Sequence, residues 1–144
     1  MATILIADDD PDIREVLTLI FSKAGHRVLL ATDGLEALQA AKLGLPDLVL
    51  TDMDMPNLDG AQLCLALREH PQLRDVPLAL LSGTLYRDDP RVRDVGSCAV
   101  MIEPLPNRNV LAAAERLLSL GRHPHTDTCA CTPALLAPGA YAAP

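Results

Sequence analysis

Continuous apolar runs alternate along this chain with stretches in which apolar residues recur every third or fourth position. Thr3 to Ala7 is the first run; it ends in acid and reads as a buried strand. Asp10 followed by Pro11 has the form of a helix N-cap with Pro at the first helical position. Ile13, Val16, Leu17, Ile20 and Phe21 then lie at helical spacing, with Gly25 as the stop. A second strand is expected over Arg27 to Ala31. A helix from about Asp33 carries Leu35, Leu38 and Ala41 and ends near Gly44. Pro46 introduces a third apolar strand, Asp47 to Thr51, which again runs into acid at Asp52. A loop with Pro56 and Gly60 leads to a helix through Leu63 and Leu67, stopped by Pro71. Pro77 to Leu81 is a fourth strand, Arg87 to Val95 a short helix weakened by Pro90, and Ala99 to Ile102 a fifth strand. Asn107 to Leu120 is the last helix, with Val110, Leu111, Ala114, Leu117 and Leu118 on one stripe.

Five rounds of strand then helix, with strands that are apolar throughout, predict a parallel sheet covered on both faces. Right-handed crossovers leave few topologies. The expected fold is α/β: a doubly wound, five-stranded parallel sheet in the order 2-1-3-4-5, with a ligand crevice at the carboxyl ends of strands 1 and 3. One domain is expected over residues 1–120. From Gly121 to Pro144 the chain is rich in Pro and Ala, has no periodicity, and is expected to be disordered or loosely docked.

Composition narrows the function. Aromatics are only 2% of residues, so the core must be built from Leu, Val, Ile and Ala. A net charge of -7 argues against non-specific binding to nucleic acid or anionic membranes. No apolar run reaches the roughly 18 residues of a membrane span, and the start of the chain lacks the pattern of a signal peptide. A cytoplasmic location is expected, with Cys64, Cys98, Cys129 and Cys131 as reduced thiols. The H-x-H and C-x-C spacings of His123, His125, Cys129 and Cys131 do not match a standard zinc pattern and read as part of the unstructured tail.

The chemistry lies at the strand ends. Adjacent strands are about 4.8 Å apart, so the order 2-1-3-4-5 brings Asp8 and Asp9, Asp52, Ser82 and Glu103 to one rim. Clustered carboxylates repel, raise at least one pKa and cost stability. A hard divalent cation relieves this, and Mg²⁺ suits oxygen donors. Asp9 and Asp52 are the expected side-chain ligands, with the backbone carbonyl of Asp54 as a third. A metal beside a carboxylate also neutralises an incoming phosphoryl group and lets an Asp oxygen act as nucleophile. The Ser82 hydroxyl is placed to donate to it.

Ile4 to Glu15 (ILIADDDPDIRE) and Pro46 to Gly60 (PDLVLTDMDMPNLDG) closely resemble two segments of response-regulator receiver domains. Pro77 to Gly83 (PLALLSG) and Met101 to Pro104 (MIEP) fit the ends of that family's fourth and fifth strands. The resemblance covers about residues 2 to 120 and implies the flavodoxin-like receiver fold. It implies that Asp52 is the phosphoacceptor, that Asp8 and Asp9 are the acidic pair that binds Mg²⁺, and that Ser82 contacts the phosphoryl group. It further implies a histidine kinase or phosphotransfer protein as donor, and an output protein that the sequence does not name.

Two positions depart from the family. Glu103 stands before Pro104 where the family has a near-invariant Lys, and Val100 stands where it has a switch aromatic. Neither lysine of the chain, Lys23 or Lys42, can substitute, because both fall at the far ends of the first two helices. Arg87, in the loop after Ser82, is the nearest candidate for a replacement cation. The primary expectation is a single-domain response regulator acting through protein contacts rather than nucleic acid or membrane. The alternative is a phosphorylation-independent pseudo-receiver, supported by Glu103. A haloacid-dehalogenase-like phosphatase, suggested by Asp52-x-Asp54, fits poorly, because that motif belongs on a first strand with a downstream Lys.

Overall fold

The structure is a computed structural model, and it describes residues 2–53, 55–82, 99–102, 107–121 and 134–136. The strands are β1 (Thr3–Ala7), β2 (Arg27–Ala31), β3 (Leu48–Asp52), β4 (Leu78–Ser82), β5 (Ala99–Ile102) and β6 (Ala134–Leu136). The helices are α1 (Pro11–Lys23), α2 (Gly34–Gly44), α3 (Gly60–Glu69) and α4 (Asn107–Leu120). The strands form one sheet in the order β2-β1-β3-β4-β5-β6, and every pairing is parallel. The expected order 2-1-3-4-5 is present, with one strand more. That sixth strand departs from the expectation of five. It comes from the segment read as an aperiodic tail, and α4 supplies the long crossover that a parallel β5–β6 pair requires. The expected helix at Arg87 to Val95 lies outside the described residues.

Alternation along β1 and β3 splits the core into two layers. Leu5, Ala7 and Val49 face Ala37 and Ala41 of α2 and Leu63 and Leu67 of α3. Ile4, Ile6, Leu48 and Leu50 face Leu17 and Phe21 of α1 and Val110, Ala114 and Leu117 of α4. Burial on both sides is why these strands read as unbroken apolar runs.

Helix ends follow local chemistry. The Asp10 carboxylate accepts the Asp12 N–H at 2.9 Å and caps α1. Gly25 takes the left-handed conformation (φ 90°) that stops the helix, and the His26 N–H returns to the Phe21 carbonyl at 3.0 Å. Asp59 and Gln62 form a reciprocal capping box on α3. Two positions assigned to apolar stripes are corrected: Val16 is 43% exposed and Leu35 is 52% exposed. In both helices small or neighbouring residues take the inward positions, Leu17 and Phe21 in α1 and Ala37 and Ala41 in α2.

Candidate metal and phosphoryl site

The register of the central strands sets the rim. Ala7 pairs with Thr51, so one residue further on Asp8 comes alongside Asp52. Asp52 pairs with Leu81, and Ser82 follows it at the end of β4. Asp8, Asp9 and Asp52 each offer a carboxylate oxygen, and these oxygens all lie within 4.8 Å of one another. Three acids from two separate strand ends are thus gathered at one point, which is what the sequence predicts.

Their environments differ. Asp8 is buried, Asp52 is half-buried and Asp9 is exposed. Asp8 is held from several sides. Its N–H donates to the Ala31 carbonyl at 3.2 Å, its Oδ1 accepts the Asp10 N–H at 2.9 Å, and its carbonyl accepts the Arg14 guanidinium at 2.7 Å. The other carboxylate oxygen, Oδ2, is buried without a hydrogen-bond partner among the described residues. Burial pushes the Asp8 carboxyl above its ordinary range, the Asp10 N–H works against this, and the charges of Asp9 and Asp10 add to the rise. A buried carboxylate oxygen with no donor is costly unless something else completes it. A hard cation does this for all three acids at once, so the donor set fits Mg²⁺.

The backbone beyond Asp52 is fixed as firmly. The buried Thr51 hydroxyl donates to the Asp52 carbonyl at 3.0 Å, the Met53 N–H to the Leu81 carbonyl at 3.0 Å, and the Gly60 N–H to the Met53 carbonyl at 2.8 Å. Asn57 sits in the left-handed region (φ 69°), and its side-chain amide donates to the Asp33 carboxylate at 2.9 Å. Sequence reading missed Arg14, Asn57 and Asp33 as neighbours of the site. The only signal was Asn57 itself, a residue tolerant of left-handed backbone.

For Ser82 only the backbone register is described. Asp54, Arg87 and Glu103 lie outside the described residues, and Val100 is described only as a β5 position beside Leu80. His123, His125, Cys98, Cys129 and Cys131 also lie outside; Cys64 is a buried thiol in the core. Among the described residues no helix is long and apolar enough to cross a membrane.

Residues 4–101 match the response regulator receiver domain, and the chain belongs to that family. It is 31% identical over 119 residues to the DNA-binding dual master transcriptional regulator RpaA of Synechocystis sp., covering 82% of this chain and 49% of that protein. The chain spans about half the length of the curated relatives it matches, 49% to 56% in representative cases. Its structure is similar to that of the chemotaxis response regulator CheY4 of Vibrio cholerae, with a TM-score of 0.77 and 27% identity over 81% of this chain and 98% of that one. The receiver domain of the sensor histidine kinase PA1611 of Pseudomonas aeruginosa, solved with a magnesium ion in its active-site cleft, gives a TM-score of 0.76 at 24% identity. That match covers 82% of this chain and 98% of the other, and it bears on the fold alone. The module is therefore a receiver of two-component signalling, a phosphoacceptor class rather than an enzyme, which sets aside the phosphatase reading of Asp52-x-Asp54.

Proposed function

We propose that this receiver accepts a phosphoryl group on Asp52 from a histidine kinase or phosphotransfer protein in the cytoplasm, and passes its state to an output protein. The observation that carries this is the meeting of Asp8, Asp9 and Asp52 carboxylate oxygens within 4.8 Å of one another, with Asp8 Oδ2 buried and without a hydrogen-bond partner among the described residues. Asp8, Asp9 and Asp52 would hold Mg²⁺, with the Asp54 backbone carbonyl as the further ligand expected from sequence. Bound there, Mg²⁺ would screen the three acids and the charge of an incoming phosphoryl group. An Asp52 oxygen would attack the donor phosphorus, forming an acyl phosphate as the bond to the donor's leaving group breaks. Ser82, at the end of the neighbouring strand, would donate its hydroxyl to the transferred group.

The phosphoryl group adds roughly -1.5 to -2 charges, and Glu103 places a carboxylate where the family carries a Lys. This favours a second reading, a pseudo-receiver that signals without phosphate. Incubation with acetyl phosphate and Mg²⁺, followed by intact mass measurement, separates the two. Phosphorylation adds one phosphoryl group in the wild type and none in Asp52→Asn; a pseudo-receiver gains nothing in either. The relatives named as DNA-binding or transcriptional regulators have about as much chain again.

A further inference from the structure

The loop that leaves Asp52 is tied to an element that contributes nothing to the acid cluster. Asp33 is the N-cap of α2. One of its carboxylate oxygens accepts the Glu36 N–H at 2.8 Å, and the other accepts the Asn57 side-chain amide at 2.9 Å. Asn57 reaches it by adopting a left-handed backbone that few non-glycine residues take. Next to it, Leu58 packs so closely on Gly34, the first residue of α2, that a Cβ there would overlap the Leu58 carbonyl. At its far end the loop is closed by the Gly60 N–H on the Met53 carbonyl, immediately after Asp52. A capping carboxylate normally serves only its own helix. Here its spare oxygen holds a second segment.

We propose that Asn57 is a positioning residue for the Asp52 site, its amide-to-Asp33 bond holding the Asp52 loop against the N-terminus of α2. This rests on Asp8, Asp9 and Asp52 forming a cation site. Asn57→Gly keeps the left-handed backbone and removes only the side-chain bond. Asn57→Asp sets two carboxylates against each other and opens the loop. The double variant Asp33→Asn, Asn57→Asp rebuilds the bond with its polarity reversed, and Asn at position 33 still caps α2.

Mg²⁺ affinity is read by titration, with folding stability measured alongside. Asn57→Gly is expected to bind about fivefold more weakly. Asn57→Asp also binds more weakly, although its added charge alone would tighten cation binding. The double variant returns to within about twofold of wild type. Asp47→Ala, which removes the bond to the Thr3 N–H at the opposite end of the sheet, is the control. It lowers stability and leaves Mg²⁺ affinity unchanged. If Asn57→Gly and Asn57→Asp bind as wild type does, losing stability alone, the positioning role is refuted. A wild type that takes up no Mg²⁺ would instead refute the cation site on which it rests.

Discussion

Gly60 lies directly against the backbone of Asp52: a Cβ on it would sit 2.5 Å from the Asp52 carbonyl oxygen and 2.9 Å from Met53 Cα. Both atoms are backbone, pinned by the Thr51 hydroxyl and by the Leu81 carbonyl, so neither can yield cheaply. Gly60→Ala is therefore expected to cost about 1–3 kcal/mol of stability through overpacking. It should also weaken Mg²⁺ binding, because Asp52 itself must move. Urea unfolding and a Mg²⁺ titration on the same variant check both parts.

Asp8 carries a prediction of opposite sign for stability and binding. Its folded carboxyl holds its proton more tightly than the unfolded chain does, chiefly through burial. Without metal, the stability it contributes is greatest below the ordinary value of 3.8 and declines as pH rises from there through its raised folded value. Asp8→Asn removes that decline and places an amide donor beside the Asp9 and Asp52 carboxylates. In EDTA at neutral pH the variant should melt higher than wild type, by on the order of 1 kcal/mol or about 4 °C. Added Mg²⁺ should raise the melting temperature of wild type and leave that of the variant unmoved.

Asp33 behaves in the contrary sense. The Glu36 N–H first, and the Asn57 amide second, hold its carboxyl below the ordinary 3.8. Its stabilising contribution is complete above 3.8 and is lost as pH falls through the lowered folded value. Asp33→Asn should flatten the acid limb of a urea-midpoint-against-pH curve below about pH 4. A limb as steep as that of wild type would assign the acid loss to other carboxylates.

Leu45 ends α2 in the left-handed region (φ 44°), with its N–H on the Ala41 carbonyl at 2.9 Å. A leucine pays roughly 1–2 kcal/mol for that conformation. Gly44, which reads as the natural stop, is instead inside the helix, where a Cβ would meet the Leu29 side chain at 2.5 Å. Leu45 is 41% exposed and loses little packing on truncation. Leu45→Gly should raise stability by roughly 0.5–1 kcal/mol, and thermal unfolding measures it.

The end of α2 shows what a sequence does and does not reveal. Strand positions were legible because burial on both faces leaves an unbroken apolar run, as in Ile4 to Ala7 and Leu48 to Leu50. The acid cluster was legible because Asp8, Asp9 and Asp52 each end such a run, and parallel register brings those ends together. Gly44 and Leu45 could not be ranked, because the answer depends on where Leu29 of β2 points. The Asn57–Asp33 bond joins residues 24 apart in the chain and leaves no local pattern. Val16 and Leu35 fit a helical period but face outward, since a period fixes spacing and not which flank of the stripe meets the sheet. β6 is three residues long, too short for periodicity to mark.

If the acids that follow β1 and end β3 act together as one cation site, calorimetric titration of the metal-free protein with Mg²⁺ reads it. Uptake of a single ion by wild type, lost or greatly weakened in Asp9→Asn and in Asp52→Asn, is the predicted result. Absence of uptake by wild type, or uptake that both variants retain undiminished, would contradict it.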